Sequence, residues 1–199
     1  MDSKSLVFVE SGSSPPVLGD NAVVGAEIAA PAFKLLSRQQ LRELPPPEWL
    51  VKDLIPEGGV IVLYGQPGAG KSFVALDLSM RVALGEVWLG ADTKKGPVIY
   101  GAAEGLRGLK LRTDAWECVH GAEGKDLFVL DGAVPLIHKK EVSAFIALAK
   151  TVGPRLIVID TLARSFLGAD ENDSGHMSLA VHHAELIARD TGAAVVLVH

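Results

Sequence analysis

Short, nearly continuous apolar runs recur along the chain and alternate with longer stretches of helical periodicity. The runs predict buried strands at residues 60–64, 97–102, 127–130, 156–159 and 194–198. The intervening stretches predict helices over residues 71–84, 106–118, 141–150 and 177–190. Strands that are apolar on both faces and alternate with helices are typical of a parallel sheet covered on both sides. We therefore predict an α/β fold with a mostly parallel sheet of about five strands.

Residues 1–47 do not follow this alternation and are predicted to form a partly disordered N-terminal appendage. A Ser/Pro-rich stretch at 11–16 is typical of a loop, and three consecutive prolines, Pro45 to Pro47, form a stiff extended segment. Between them, residues 35–44 predict a short helix. The core domain is predicted to span residues 48–199.

Composition and charge restrict the class of protein. Hydrophobic residues make up 48% of the 199, which is ample for a core, and the net charge of −5 provides no general attraction to nucleic acid. The single cysteine, Cys118, excludes an intramolecular disulfide and is typical of a reducing compartment. No apolar run approaches the ~20 residues of a membrane span, and no signal peptide is evident. We expect a cytoplasmic protein without membrane contact.

The residues after the first predicted strand read GQPGAGKS and match the phosphate-loop pattern G-x-x-x-x-G-K-[ST]. Glycines allow backbone N–H groups to converge on phosphate oxygens, and the helix that follows adds its positive end. Lys71 would contact the β- and γ-phosphates, and the Ser72 hydroxyl would bind Mg²⁺. We predict ATP and Mg²⁺ as cofactors, and the nucleotide-binding residues are Gly65, Gln66, Pro67, Gly68, Ala69, Gly70, Lys71, Ser72 and Phe73.

Other chemical groups follow the later strands, where the carboxyl ends of parallel strands meet. A phosphate loop needs an acid on a neighbouring strand for Mg²⁺, and Asp131 and Asp160 each follow four apolar residues. The pattern leaves both open, although the hydroxyl of Thr161 favours Asp160. Glu104 is the candidate for polarising the attacking water, and its alternative role is that of an acid at a helix start. His199 would donate a hydrogen bond at the level of the γ-phosphate, and its alternative is a frayed terminal residue without a role.

Several of these blocks together resemble RecA-like ATPases, and most closely the RepA-type hexameric replicative helicases and AAA-type relatives of plasmids and phages. The similarity covers roughly residues 48–199, and it is carried by residues 49–56, the phosphate loop, 103–105, 156–161 with Arg164, 170–172 and 196–199. The resemblance implies that Asp160 is the magnesium aspartate, Glu104 the water-activating glutamate and His199 the strand-end histidine. It also implies an oligomeric ATPase, hexameric in its full-length form, that acts in DNA replication or recombination. Single-stranded DNA is then a candidate partner.

Members of the resembled family continue past the matching histidine into strands that carry DNA-facing loops and an arginine that reaches the neighbouring subunit's γ-phosphate. We therefore expect residues 1–199 to bind Mg-ATP but to hydrolyse it slowly, without stimulation by DNA. If such an arginine came from within these residues, Arg155 and Arg164 would be the first candidates. The strand at 194–198 is expected to lie at a poorly covered margin of the sheet.

Two other functions stay open on the sequence. A phosphotransferase acting on a small molecule needs a basic lid over the acceptor, and only Arg107 and Arg112 form a close basic pair after the second strand. A non-catalytic, nucleotide-dependent interaction module is the second alternative.

Overall fold

The computed structural model describes residues 35–103, 105–166, 168–169 and 173–199. The chain divides into two units, residues 1–44 and 45–199. In the first unit the short predicted helix forms as α1 (Arg38–Arg42), where Ser37 and Gln40 exchange two hydrogen bonds as a capping box. The predicted domain boundary after residue 47 stays a prediction.

The second unit alternates strands and helices in the predicted order. The unit begins with β1 (Trp49–Val51) and β2 (Ile55–Pro56), which form a small antiparallel pair. The remaining elements are β3 (Val60–Leu63), α2 (Lys71–Leu84), β4 (Val98–Ala102), α3 (Leu106–His120), β5 (Leu127–Asp131), α4 (Lys139–Val152), β6 (Leu156–Asp160), a 3₁₀ segment (Leu162–Phe166), α5 (Ser174–Thr191) and β7 (Ala194–Val198). Among the described residues, no helix combines the length and apolarity that a bilayer-spanning segment requires.

The five strands β3 to β7 form one parallel sheet in the order β3-β7-β6-β4-β5. The predicted α/β fold with a five-stranded parallel sheet is therefore confirmed. The expected position of the last strand is wrong. β7 pairs with β3 on one side and β6 on the other, and all of its residues are buried. Order along the chain does not determine order across a parallel sheet, because each crossover can place the next strand on either side.

Alternate strand residues face two separate layers of helices. On the central strands β4 and β6, Val98, Tyr100, Leu156 and Val158 pack against α2 and α3. Their neighbours in sequence, such as Ile99 and Ile157, pack in the opposite layer with α4 and α5. Asp160 continues the series of Leu156 and Val158, so the period of two along a strand directs its side chain toward α2. The carboxyl ends of the strands and the start of α2 thus meet on one side of the sheet, called here its carboxyl end.

Candidate nucleotide-binding site

The phosphate loop connects β3 to α2. Gly68 and Gly70 have φ angles of 80° and 82°, a region that side chains other than glycine rarely adopt. Gly70 directly precedes α2, and the amide of Ala69 donates to the carbonyl of Gln66 at 3.1 Å. The first two N–H groups of α2 have no acceptor within the helix. The loop therefore presents backbone donors at the positive end of a 14-residue helix.

A cavity of 1090 Å³ opens above this loop. All nine residues predicted to bind the nucleotide line it, from Gly65 to Phe73. The remaining lining residues are Tyr64, Arg112, Thr161, Ala163 and His199. The volume is slightly above the range of about 300–1,000 Å³ that is typical of small-molecule sites, and it accommodates a nucleoside triphosphate.

Lys71 lies within the loop itself. Its Nζ donates to the carbonyl oxygens of Gly65 at 2.6 Å and Gln66 at 3.1 Å. Within the part of the chain that the structure describes, no carboxylate lies within ion-pair distance of this ammonium group. The loop carbonyls thus hold a positive charge at the cavity without neutralising it.

Asp160 is the buried carboxylate of the site, with 6% of its surface exposed. The Ser72 hydroxyl donates to its Oδ1 at 3.1 Å, and the Tyr100 hydroxyl donates to its Oδ2 at 2.5 Å. No Lys, Arg or His among the described residues forms an ion pair with it. Both carboxylate oxygens accept from hydroxyl donors and meet no cationic side chain among the described residues, so their remaining lone pairs are open to a cation.

The donor set suits Mg²⁺. This ion takes oxygen ligands and retains several waters, so one or two protein oxygens together with phosphate oxygens are its usual partners. Ser72 and Asp160 supply one hydroxyl and one carboxylate in contact with each other. The described residues contain no cluster of three or more His, Cys, Asp or Glu that would hold a metal by protein ligands alone.

Asp131, the other carboxylate compatible with the strand pattern, lies elsewhere. It ends β5, which is the edge strand farthest from β3, and its side chain is exposed. At ~4.8 Å per strand, Asp131 is ~19 Å across the sheet from β3, whereas Asp160 is ~10 Å away. Asp131 is absent from the described lining of the cavity.

The other two predicted catalytic residues have different outcomes. His199 lines the cavity, and its backbone extends the pairing of β7 with β3 through bonds to Leu63 (2.9 Å) and Gly65 (3.2 Å). Glu104 lies outside the described residues. Its neighbour Ala103 donates from its amide to the carbonyl oxygen of Asp160 at 2.8 Å.

Three arginines considered from the sequence lie at different distances from the cavity. Arg155 precedes β6 at the amino ends of the strands, where it bonds to Glu57 at 2.7 Å, and it does not line the cavity of its own chain. Arg164 is exposed in the 3₁₀ segment, beside the lining residue Ala163. Arg112 on α3 lines the cavity and places its guanidinium 5.6 Å from the ring centroid of Phe73, which is 63% exposed.

A family model described as an AAA domain matches residues 28–199. The chain belongs to this AAA domain family, AAA_25. The match includes every strand and helix of the second unit, and it begins inside the segment that was predicted to be an appendage. The domain is thus a nucleotide-binding domain of RecA-like, AAA type.

A solved structure shows the same fold in another protein. The AAA domain superposes on the crystal structure of the KaiC-like protein PH0186 from the hyperthermophilic archaeon Pyrococcus horikoshii OT3, with a TM-score of 0.51 and 17% sequence identity. The match covers 75% of this chain and 64% of that one, so the AAA domain spans less than two thirds of that protein's length. The resemblance to RecA-like P-loop ATPases is confirmed at the level of fold and family.

The sequence of this AAA domain indicated Arg112 only as part of a basic pair with Arg107, and it indicated no site role for Tyr100. Arg112 lies within the first two turns of α3, which follows strand β4. A basic residue so soon after the carboxyl end of a strand was the available signal in the sequence. Tyr100 resembled any core aromatic on an apolar strand. Its contact with Asp160 depends on the register of β4 with β6, which pairs Ala102 with Asp160.

Proposed function

We propose that this AAA domain binds Mg-ATP and hydrolyses it. One observation carries the proposal. Lys71 is a cation without a carboxylate partner, and Asp160 is a buried carboxylate without a cation, while Ser72 connects the two within the described site. A magnesium–phosphate complex supplies the missing charge to both groups.

The triphosphate would lie along the loop from Gly65 to Phe73. The backbone donors at the start of α2 and the Lys71 ammonium would bind the β- and γ-phosphate oxygens through charge-assisted hydrogen bonds. Lys71 can exchange its present carbonyl partners, Gly65 and Gln66, for phosphate oxygens at little cost, since both carbonyls lie at the cavity surface.

Ser72 and Asp160 would hold Mg²⁺. The Ser72 hydroxyl can keep donating its hydrogen to Asp160 while its lone pairs point to the ion. When bound, the ion neutralises charge that develops on the phosphate oxygens. The hydrogen bond between these residues keeps both oxygens together before the ion binds, and so reduces the ordering required on binding.

Hydrolysis needs a group that positions water. We assign this role to Glu104, next to Ala103, whose amide is bonded to the Asp160 carbonyl. His199 would donate a hydrogen bond to the γ-phosphate from the neighbouring strand β7. Phe73 and Arg112 offer an exposed aromatic ring and a planar cation, against which the adenine base would stack.

The biological setting is proposed on the sequence resemblance. RepA-type replicative helicases are hexameric, so we propose a cytoplasmic homo-oligomer that acts on single-stranded DNA in replication or recombination, with residues 1–47 as an appendage to the ATP-binding core. The net charge of −5 means that DNA contacts would be local rather than spread over the surface.

Phosphate release by the purified chain tests the proposal. We expect Mg²⁺-dependent phosphate release at saturating ATP, because Mg²⁺ would neutralise the charge that develops on the phosphate oxygens. Glu104→Gln should retain ATP binding and lower turnover by about 10²–10⁴. Phosphate transfer to an added small-molecule acceptor would identify a phosphotransferase. Tight binding with no turnover in any condition would identify an interaction module.

A further inference from the structure

We infer that Tyr100 is a positioning residue of the metal site, which acts through Asp160; this inference rests on the proposed function. Tyr100 is 1% exposed in the middle of β4, and its hydroxyl donates to Asp160 Oδ2 at 2.5 Å. The same hydroxyl lies 3.5 Å from the carbonyl oxygen of Ser72. It therefore touches both residues that are proposed to hold Mg²⁺.

Packing alone does not require this hydroxyl. The residues in register with Tyr100 on the neighbouring strands are the apolar Val129 and Val158, and Tyr100 belongs to the hydrophobic cluster between the sheet and helices α2 and α3. Phenylalanine would fill nearly the same volume without a polar atom. A hydroxyl in such a layer is unfavourable unless it is hydrogen-bonded, and here it bonds to the carboxylate of the candidate metal site.

The two hydroxyl donors divide the Asp160 carboxylate between them. Ser72 donates to Oδ1 and Tyr100 to Oδ2, so the plane of the carboxylate is held at both oxygens. Mg²⁺ requires near-ideal octahedral geometry at short distances, whereas larger cations tolerate looser arrangements. Groups that orient a ligand without touching the metal commonly change metal affinity by about 10- to 100-fold.

Cavity shape shows that Tyr100 acts indirectly. The space on its side of Asp160, bounded also by Ala102, Leu109 and Arg112, is only about 10 Å³. That volume is too small for a hydrated ion. The cavity above the phosphate loop, which Ser72 lines, is the open approach, so a metal would reach Asp160 from there.

Tyr100→Phe tests this role through binding rather than turnover. The variant is mixed with a fluorescent ATP analogue, and binding is followed as Mg²⁺ or, separately, Mn²⁺ is added. The affinity of the protein for the analogue is also measured with a chelator present, in the absence of metal. We expect the half-saturating Mg²⁺ concentration to rise by about 10- to 100-fold, the Mn²⁺ value to rise less, and metal-free affinity to stay the same. Ser79→Ala is the matched control, because it removes a buried hydroxyl that bonds to the Ala75 carbonyl of α2; its metal dependence should equal that of the parent chain.

The outcomes separate this inference from the proposed function. If Tyr100→Phe keeps the parent Mg²⁺ dependence while Asp160→Asn loses it, the positioning role is wrong and the metal site stands. If neither change alters the Mg²⁺ dependence, the metal site itself is wrong. In the Asp160→Asn background, a further large effect of Tyr100→Phe would also contradict action through Asp160.

A spectroscopic measurement covers the case in which Tyr100→Phe does not fold. The chain has two tyrosines, Tyr64 and Tyr100, so fluorotyrosine labelling produces two ¹⁹F resonances, assigned with Tyr64→Phe. We expect the Tyr100 resonance to shift when Mg²⁺ is added to the ATP complex, and this shift to disappear in Asp160→Asn. A Tyr100 resonance that is insensitive to Mg²⁺ would overturn the inference.

Discussion

The two ends of strand β6 carry opposite charges in opposite environments. Arg155 precedes the strand and donates to Glu57 at 2.7 Å, within a network where Lys94 contacts Glu57 at 3.3 Å and Glu48 at 3.0 Å. Asp160 ends the strand, is almost fully buried, and has no cationic partner among the described residues. At the amino ends of the strands these charges pair with one another, whereas at the carboxyl ends Asp160 and Lys71 have no oppositely charged side chain as a partner among the described residues.

This difference distinguishes charges that support the fold from charges held for a ligand. Exposed ion pairs such as Lys94 with Glu48 contribute little to stability, because water and salt screen them. A buried carboxylate with only hydroxyl donors is less favourable for the fold than an ion pair or an apolar residue. The arrangement at Asp160 is therefore understandable as a site that a cation completes.

The largest effect on ATP affinity is expected when one of two lysines is replaced: Lys71 at the carboxyl ends of the strands, and not Lys94 at their amino ends. Lys71→Ala should weaken ATP binding by about 2–4 kcal/mol, because it removes a charge-assisted hydrogen bond to phosphate at the cavity. Lys94→Ala should leave ATP affinity unchanged, since Lys94 pairs with Glu48 and Glu57 at the amino ends of the strands, away from the cavity. Calorimetric titration of both variants measures this. Equal losses of ATP affinity in the two variants would contradict the distinction between the two ends of the strands.

A second comparison concerns the two carboxylates at strand ends. Asp160→Asn should raise the Mg²⁺ concentration needed for ATP binding by about 10- to 100-fold, because the amide offers no negative charge to the ion. Asp131→Asn should have no such effect, because Asp131 is exposed on the distant edge strand β5. Metal titrations at fixed ATP provide the test, and a Mg²⁺ effect in Asp131→Asn alone would show that the strand assignment is wrong.

A smaller effect sharpens the description of the cavity. Phe73→Ala should weaken ATP by about 1–3 kcal/mol through loss of stacking with the base, yet leave the affinity for inorganic triphosphate unchanged. Leu111→Ala is a suitable control, since Leu111 is exposed on α3 and does not line the cavity. If Phe73→Ala weakened both ligands equally, Phe73 would act on the loop and not on the base.

The smallest effect is expected on stability, from the ion pair between Lys94 and Glu48 at the amino ends of the strands. The hydrogen bond and charge of Lys94 hold the pKa of Glu48 below its ordinary value. Stability from this pair is therefore present above that ordinary value, and is lost as pH falls through the lowered pKa. Glu48→Gln should lower unfolding free energy slightly at neutral pH, and not at all in acid or in about 1 M salt. Urea unfolding of both chains measures the difference, and a loss that persisted in high salt would contradict a screened surface pair.

The sequence by itself determined the elements and the phosphate loop. Apolar periodicity and glycine placement are local properties, so they identified β3 to β7, the helices between them and the loop from Gly65 to Ser72. The same local reasoning proposed Asp160 and Asp131 as equals in pattern. It also proposed Glu104, whose role stays a prediction because the residue lies outside the described part of the chain.

Tertiary structure alone decided which of these groups meet. Strand order depends on hydrogen bonding between segments distant in sequence, and it placed β7 in the interior, Asp160 beside Ser72 and Asp131 on the edge strand β5, farthest from β3. The register of β4 with β6 brought Tyr100 to Asp160, and the packing of α3 brought Arg112 to Phe73. No local pattern contains such contacts, because each depends on how two separate segments align once both are packed on the same face of the sheet.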